Sequence, residues 1–204
     1  MSEAERQCRL YLVLPGTPSA PLEAVLHRVL NETDVACVLM TGPFAAKVSD
    51  WQTRMRELTL KRDVALLVEN DVAFAKALDA DGVHIPPETA LYRQAREDLG
   101  ERAVVGIGCL DSRHEAMTLA ELGADYVTFC DEGSEQLADK LAWWSEVFVV
   151  PCVAWNVRSA DEAKLYAEAG ADFVAPAASI LESKNAAAEI LLFDHALRKA
   201  RRAA

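Results

Sequence analysis

Three stretches of this chain share one pattern: Ala80–Val83 (ADGV), Ala124–Val127 (ADYV) and Ala171–Val174 (ADFV). Each stretch follows a segment with helical apolar periodicity and opens a short apolar run. Gly123 and Gly170 precede the second and third stretches, at the point where a helix ends and a left-handed backbone is favoured. The Asp residues recur about every 45 residues, the length of two successive strand–helix units, which predicts a parallel sheet.

Eight apolar runs have the length and composition of buried strands. Their near-continuous apolar character is typical of parallel strands that are covered on both faces. The predicted strands are Leu10–Leu14, Val35–Met40, Val64–Val68, Gly82–Ile85, Ala103–Ile107, Tyr126–Phe129, Phe148–Ala154 and Phe173–Ala175. Amphipathic segments alternate with these runs, so eight strands and eight helices in order predict a single (β/α)8 TIM barrel. An open doubly wound sheet is the alternative.

Two of the amphipathic segments show which side chains are expected to face the barrel. Apolar residues recur in both at helical spacing. They are Leu22, Val25, Leu26, Val29 and Leu30 in the first segment, and Ala116, Leu119, Ala120 and Leu122 in the second. No linker-like or low-complexity stretch divides the chain, so residues 1–204 are interpreted as one domain.

Composition excludes several classes of function. The net charge of the 204 residues is -11, and such an acidic chain is repelled by nucleic acid and by anionic membranes. No apolar run approaches the roughly 18 residues of a membrane span, and the polar N-terminus lacks the apolar stretch of a signal peptide. The five cysteines are widely spread without a CxxC pair, which favours reduced thiols. We therefore expect a cytoplasmic protein that binds neither nucleic acid nor a membrane.

The functional residues of a TIM barrel follow the carboxyl ends of its strands. These segments are where a ligand is expected to bind. In this chain they are Pro15–Pro18, Thr41–Lys47, Glu69–Asp71, His84–Thr89, Gly108–Ser112, Cys130–Glu135, Trp155–Ser159 and Pro176–Ile180.

Two of these segments carry a family resemblance. Leu66–Val72 (LLVENDV) and Asp79–Ile85 (DADGVHI) resemble the thiamine phosphate synthase family and its TenI-type relatives. That family has Asn-Asp after its third strand and G-A-D-G-V-H after its third helix, and the resemblance extends from about Arg9 to Leu181. It implies a TIM-barrel transferase of thiamine biosynthesis. Such an enzyme joins a hydroxymethylpyrimidine diphosphate to a thiazole phosphate and expels pyrophosphate.

The resemblance also implies a magnesium site. Asp71 stands where the family has its first metal carboxylate, and the second normally follows the His of the G-A-D-G-V-H motif. Thr89 occupies that second position here, with Glu88 beside it. Pro86 and Pro87 restrict the backbone of this loop and remove two amide donors. We expect Asp71 and Glu88 to bind Mg²⁺ weakly or not at all, and a role for Asp71 as a helix cap is the alternative.

The phosphate-binding parts of the family are altered. Lys47 is the first cation after the second strand, where the family has Q-L-R-x-K, and it is either a substrate ligand or a solvated surface lysine. Cys130–Glu135 contains three carboxylates, which would repel a phosphate. Trp155–Asn156 replaces the family's Gly-Gly, where bare backbone approaches phosphate. Ser179 lies in a segment that resembles the last phosphate site, and it is either a substrate ligand or an N-cap.

Other residues suit a ligand without phosphate. Trp155 and Asn156 combine an indole face with an amide, which fits a flat heteroaromatic ring; the alternative is that the indole plugs the mouth. Asn70 and His84 are further substrate-binding candidates; the alternative for His84 is a structural histidine whose ring nitrogens hydrogen-bond to the loop backbone. TenI-type tautomerases use a His in the loop after the sixth strand, and Asp131 near that place is a candidate general base.

Two surface features have structural interpretations. Arg113 begins a helix after Ser112, a predicted N-cap, and is interpreted as an exposed helix charge, with contact to an anion as the alternative. Trp143 and Trp144 are expected to pack the sixth helix on the barrel or to form a contact in a homo-oligomer.

Three functions follow from these observations. The first is a divergent family member that binds or transforms a small thiamine-precursor-like molecule. The second is a working thiamine phosphate synthase whose cations come from unexpected positions such as Lys47 and Arg113. The third is a non-enzymatic regulatory or interaction barrel.

Overall fold

Eight parallel strands close into a barrel in which β1 pairs with both β2 and β8. The computed structural model describes residues 7–15, 20–109, 111–131 and 135–200. The strands are β1 Arg9–Pro15, β2 Val35–Thr41, β3 Ala65–Glu69, β4 Gly82–Ile85, β5 Val104–Gly108, β6 Tyr126–Phe129, β7 Cys152–Val157 and β8 Phe173–Pro176. The predicted TIM barrel is therefore confirmed, and the open sheet is excluded.

Nine helices lie in the described ranges, one more than predicted. They are α1 Ala20–Glu32, α2 Asp50–Leu60, α3 Val72–Leu78, α4 Thr89–Leu99, α5 Arg113–Glu121, α6 Leu137–Val147, α7 Ala160–Glu168, α8 Ala178–Leu181 and α9 Ala186–Lys199. The additional helix is α8, a single turn between β8 and α9. Its N-cap is Ala177, so the expected N-cap role of Ser179 is wrong.

Seven strands agree with the predicted bounds to within one residue, and β7 does not. The predicted run began at Phe148, whereas the strand begins at Cys152 and continues to Val157. Phe148 instead ends α6, where its ring stacks on Trp144 at 4.1 Å between centroids. Val149 is 88% exposed. An apolar run alone could not distinguish a strand from a helix end that folds back onto its own aromatic residue.

The repeated Asp residues tie neighbouring strands together at the amino-terminal end of the barrel. Each precedes an even-numbered strand and accepts a backbone N–H at the start of the strand before it. The hydrogen bonds join Leu66 to Asp81 at 2.8 Å, Val105 to Asp125 at 2.7 Å, and Cys152 to Asp172 at 2.9 Å. Because active sites of TIM barrels lie at the opposite end, this repeat serves stability rather than catalysis.

The glycines before two of these Asp residues behave as predicted. Gly123 has φ 101° and Gly170 has φ 110°, the left-handed values that end α5 and α7. Leu122, expected to be buried, is 38% exposed because it lies beyond the last residue of α5.

The barrel has two apolar regions. One fills its interior and contains Tyr11, Cys37, Leu39, Leu67, Tyr126, Val153 and Ala175. The other lies between the strands and the surrounding helices and includes the predicted faces of α1 and α5. All five cysteines are buried, and none forms a disulfide. Within the described ranges, no helix is long and apolar enough to cross a membrane.

Candidate active site

Inward-facing side chains from consecutive strands meet at the carboxyl end of the barrel. Side chains alternate along a strand, so Glu69 shares the inner face of β3 with Leu67, and Thr128 shares that of β6 with Tyr126. Glu69 is in register with His84 across β3 and β4. Gly108 is in register with Thr128 across β5 and β6. These residues form a continuous arc around one side of the mouth.

His84 is held by a tyrosine from inside the barrel. Its Nδ1 lies 3.0 Å from the hydroxyl of Tyr126, which is itself 2.7 Å from the hydroxyl of Tyr11. Burial lowers the pKa of His84 to about 4, and burial raises the pKa of Tyr11 and of Tyr126. All three rings are therefore neutral at physiological pH. His84 has the buried, hydrogen-bonded character of a structural residue, and Nδ1 is the one atom of its side chain that is hydrogen-bonded to a described residue.

Tyr126 reaches His84 because Gly106 has no side chain. A Cβ at Gly106 would lie 1.8 Å from the Cζ of Tyr126. The other ring nitrogen of His84, Nε2, lies 3.1 Å from the place where a Cβ of Gly108 would be. Two glycines of β5 thus leave room for the phenol and the imidazole.

Trp155 stacks on His84. The two ring planes are 5° apart with centroids separated by 5.3 Å, and the indole meets Tyr11 edge-on at 5.6 Å. The indole is half-buried, so it both fills part of the mouth and keeps some surface accessible to a ligand.

A local irregularity of β7 accompanies this arrangement. The pairing of β7 with β8 shifts register between Ala154 and Val157. Asn156, within the shift, has φ 61°, a left-handed backbone that glycine adopts more readily, and its side chain is exposed. Irregularities of this kind redirect a side chain next to a site. The backbone of Asn156 is therefore glycine-like, although Trp155 and Asn156 carry an indole and an amide.

Two mouth residues were not recognised as candidates from the sequence. Glu69 is half-buried, burial raises its pKa, and its carboxylate accepts a hydrogen bond from the backbone of Gly42. Thr128 is 1% exposed, and its hydroxyl has no hydrogen-bond partner among the described residues. The sequence did contain a signal for both residues. Each is a polar residue two positions after an inward-facing apolar residue of the same strand, so its side chain also faces the interior of the barrel.

Asn70 and Asp71 lie beside the mouth rather than within it. The N–H of Asn70, whose φ is 54°, donates to the carbonyl of His84 at 2.9 Å. Asp71 caps α3, because its Oδ1 accepts the N–H of Phe74 at 2.8 Å. This helix cap is the role that the sequence analysis gave as the alternative to a metal ligand. Both border a groove of about 430 Å³, together with Val72, Ile85, Pro86, Leu91, Gln94 and Ala95.

Comparison with known proteins identifies the family of this chain. Residues 10–180 match the family model described as thiamine monophosphate synthase. The chain belongs to the thiamine monophosphate synthase family.

Similar members of the thiamine monophosphate synthase family occur in several bacteria. The thiamine-phosphate synthase of Rhodospirillum centenum is 40% identical over 181 residues, which covers 82% of this chain and 86% of that protein. That of Erythrobacter litoralis is 34% identical over 204 residues, covering 92% and 95%. Among solved structures, the thiamine phosphate pyrophosphorylase of Pyrococcus furiosus has a TM-score of 0.77 at 21% identity, covering 96% of this chain and 98% of that one. At this identity the structural likeness shows the fold.

The thiamine monophosphate synthase family uses Mg²⁺ in general, and the two carboxylates considered for it here, Asp71 and Glu88, are the N-caps of two different helices. One oxygen of Asp71 is already engaged as a helix cap. Glu88 is exposed at the N-cap of α4, without a capping hydrogen bond. In the described ranges no cluster of three or more His, Cys, Asp or Glu residues could hold a metal ion.

Three other candidates lie apart from the arc. Lys47 is exposed in the loop between β2 and α2, Asp131 is exposed after β6, and Ser179 is exposed within α8. No hydrogen bond, ion pair or ring contact between described residues joins any of them to His84 or Trp155. Residues 132–134 of the acidic loop lie outside the described ranges.

Two cations in the helices that follow β5 and β6, Arg113 and Lys140, form ion pairs. Arg113 forms an ion pair with Glu135, the last carboxylate of that loop, and lies 4.1 Å from the ring centroid of Trp143. Ser112 caps α5 as predicted, accepting the N–H of Glu115 at 3.2 Å. Lys140 has a fully buried side chain and pairs with Asp111. Arg113 is therefore a packed, paired residue and not an exposed charge.

Proposed function

We propose that this family member binds a thiamine-precursor-like heteroaromatic compound at the barrel mouth, and that its phosphate and magnesium sites do not support synthase activity at an ordinary rate. One observation carries the proposal: Trp155 stacks on His84. Trp155 and Asn156 stand at the position where the resemblance implied a pair of glycines. An aromatic and imidazole surface suits a flat ring. The same indole prevents phosphate from approaching the backbone of β7 closely.

The electrostatics of the strands support the same proposal. Among all strand residues the sole cation is Arg9, which pairs with Asp34 at the far end of the barrel. Departure of pyrophosphate builds negative charge that positioned cations or amides must stabilise, and loss of one such donor typically costs about 10²–10³ in rate. At the mouth, the inward-facing residue at the end of β3 is not a cation but the carboxyl-bearing Glu69.

An active thiamine phosphate synthase is the second candidate. Identities of 40% and 34% to proteins named thiamine-phosphate synthase support it. Asn70, Asp71 and His84 are retained, and the glycine-like backbone of Asn156 preserves the local chain path. In this case Lys47, which is exposed and in no ion pair with a described residue, would have to reach the diphosphate.

Two further candidates have less support. Proton transfer by Asp131, in the manner of a tautomerase, needs a base near the ligand, and Asp131 makes no contact with the His84–Trp155 stack. A non-enzymatic regulatory role does not explain why the buried hydroxyl of Thr128 at the mouth has no partner among the described residues.

Coupled detection of pyrophosphate release, with both precursors and Mg²⁺, distinguishes the first two candidates. We expect no turnover approaching about 0.1–1 per second, the range of slower ordinary enzymes. A rate in or above that range would establish the second candidate instead. In parallel, the melting temperature measured with hydroxymethylpyrimidine should rise, because a ligand that binds only the native state stabilises it.

A further inference from the structure

A line of hydrogen-bonded side chains crosses the interior of the barrel from β2 to β4. It joins the thiol of Cys37, the hydroxyls of Tyr11 and Tyr126, and the imidazole of His84. We propose that Tyr126, supported by Tyr11, is a positioning residue that holds the proton of His84 on Nε2, so that this histidine serves as a hydrogen-bond donor and not as a base. The position of this proton depends neither on the ligand nor on the proposed function.

The contacts run from strand to strand. Cys37 and Tyr11 are in register across β2 and β1, and the thiol hydrogen-bonds to the phenol. The hydroxyl of Tyr11 lies 2.7 Å from that of Tyr126, which lies 3.0 Å from Nδ1 of His84. Tyr126 can cross β5 to the imidazole because a Cβ at Gly106, which would lie 1.8 Å from its Cζ, is missing. The four groups are therefore linked without a gap.

All four groups are buried and neutral. Burial raises the pKa of Tyr11, of Tyr126 and of the Cys37 thiol, and it lowers the pKa of His84 to about 4. The thiol and each hydroxyl therefore have one proton to donate, and the imidazole has one proton to place on either of two nitrogens. Because water is excluded, hydrogen bonds that point the same way along such a line reinforce one another.

These protons allow two fully bonded arrangements. In the first, the thiol donates to Tyr11, Tyr11 to Tyr126, and Tyr126 to Nδ1 of His84, which leaves the histidine proton on Nε2. In the second, every bond is reversed, so Nδ1–H donates to Tyr126 and the sulfur is the last acceptor. A mixed arrangement leaves either a buried hydroxyl proton without an acceptor or one link without a proton, and buried polar groups avoid both.

The strengths of the donors and acceptors favour the first arrangement. An unprotonated imidazole nitrogen is the strongest base in the line, since the ordinary pKa of histidine is about 6.5. The first arrangement uses this nitrogen as the acceptor of a phenol. The second uses the sulfur, a weak acceptor, in its place. It also leaves the basic nitrogen at Nε2, which has no hydrogen bond to a described residue.

A histidine with its proton on Nε2 has a defined chemistry. Its basic nitrogen, Nδ1, is turned into the barrel and is occupied by the hydroxyl of Tyr126. Its Nε2 is turned toward Gly108, the last residue of β5, because a Cβ there would lie 3.1 Å from it. His84 can therefore donate a hydrogen bond at the carboxyl end of the barrel, but it cannot remove a proton there.

Nitrogen NMR of the protein with isotope-labelled histidine, at about pH 8 and so above the ordinary pKa of histidine, reads the position of the proton. The resonances of His84 are those that His84→Gln lacks. We expect the Nε2–H form to exceed the Nδ1–H form at least about tenfold, a ratio that one hydrogen bond can set, with a scalar coupling between Nδ1 and the hydroxyl proton of Tyr126. A majority of the Nδ1–H form, or an Nε2–H excess no larger than in the urea-unfolded chain, would overturn the proposal.

Tyr126→Phe tests the positioning role by removing the donor to Nδ1 while keeping the ring. The Nε2–H excess should fall to its value in the unfolded chain, and Tyr11→Phe should lower it less because the Tyr126 hydroxyl remains. Tyr92→Phe is the matched control, since it removes a tyrosine hydroxyl that donates to the carbonyl of Leu122, and it should leave the His84 resonances unchanged. Retention of the full excess in Tyr126→Phe would show that Tyr126 does not place the proton. The wild-type measurement decides the proton position even if a variant does not fold.

Discussion

The hydroxyl of Tyr126 lies 3.0 Å from Nδ1 of His84, so a residue of β6 orients an imidazole of β4. The phenol crosses β5 to make this contact, and it can do so because Gly106 has no side chain. Tyr11 supports the phenol from β1 at 2.7 Å. The mouth is therefore organised from within the barrel by neutral aromatic side chains rather than by its loops.

Gly106→Ala should destabilise the protein by about 1–3 kcal/mol, the usual cost of overpacking a core. The new Cβ would lie 1.8 Å from the Cζ of Tyr126 and would force the phenol away from His84. Gly42→Ala is the control, because its Cβ would make contacts of 3.5 Å or more. Urea unfolding measures both, and equal midpoints for the two variants would show that Tyr126 is not held against Gly106.

Stability should fall as the pH is lowered from about 6.5 to about 4, because His84 is buried in its neutral form. Its pKa is about 4 in the folded protein against 6.5 ordinarily, so the unfolded chain binds the proton first. This difference corresponds to roughly 3 kcal/mol across that interval, with little further loss from this group below it.

His84→Gln should remove this pH dependence, measured as the free energy of unfolding at several pH values. His114→Gln, at an exposed position on α5, should retain it. Glu69 has a raised pKa and acts in the opposite direction, and it is present in every protein compared. If the free energy of unfolding depends on pH in His84→Gln as it does in the wild-type protein, His84 is not the source of this pH dependence.

Asp125→Ala should cost about 1–3 kcal/mol in unfolding free energy, since it leaves a buried backbone donor without its acceptor. The N–H of Val105 donates to Asp125 at 2.7 Å, and Val105 is fully buried. Asp98→Ala removes only a surface ion pair with Lys76, which is worth about 0–1 kcal/mol. Circular dichroism during urea unfolding measures the free energy of unfolding of both variants. If Asp125→Ala and Asp98→Ala lose similar amounts, the repeated Asp has no special role in stability.

Restoring the glycine pair should not create synthase activity. Trp155→Gly with Asn156→Gly would reopen the backbone of β7, but it supplies no cation for the diphosphate and no further metal ligand. Groups that stabilise one transition state act together, so restoring one part gives little rate. Pyrophosphate release with both precursors and Mg²⁺ is the assay. A double variant that gains turnover of about 0.1 per second or more, within reach of slow ordinary enzymes, would show that Trp155 alone blocks the reaction.

Magnesium should bind weakly, in the millimolar range or above. Asp71 already caps α3, and Mg²⁺ demands near-ideal octahedral geometry that a single carboxylate and an exposed Glu88 do not provide. Calorimetry with Mg²⁺ measures the affinity, and Asp71→Asn is the comparison. Micromolar binding that is lost in Asp71→Asn would contradict this expectation.

The barrel was predictable because its evidence is local and repeated. The apolar runs, the glycines that end α5 and α7, and the Asp residues at 81, 125 and 172 each reflect backbone requirements that recur in every strand–helix unit. The β7 boundary was missed because the apolar run that includes Phe148 packs on Trp144 instead of continuing the sheet. Helical caps at Asp71 and Ser112 were also foreseeable, since they depend on a single turn of chain.

The site depends on contacts between distant parts of the chain, which no local pattern encodes. Tyr11 and Tyr126 are 115 residues apart, and Tyr126 and His84 are 42 apart, yet closure of the barrel joins all three. Glu69 and Thr128 looked like minor polar residues at the ends of apolar strands, and only closure of the barrel places both on its inner face at the carboxyl end. Residue order specifies the fold because strand and helix signals are short-range, whereas the chemistry of the mouth arises from side chains that meet only after the sheet closes.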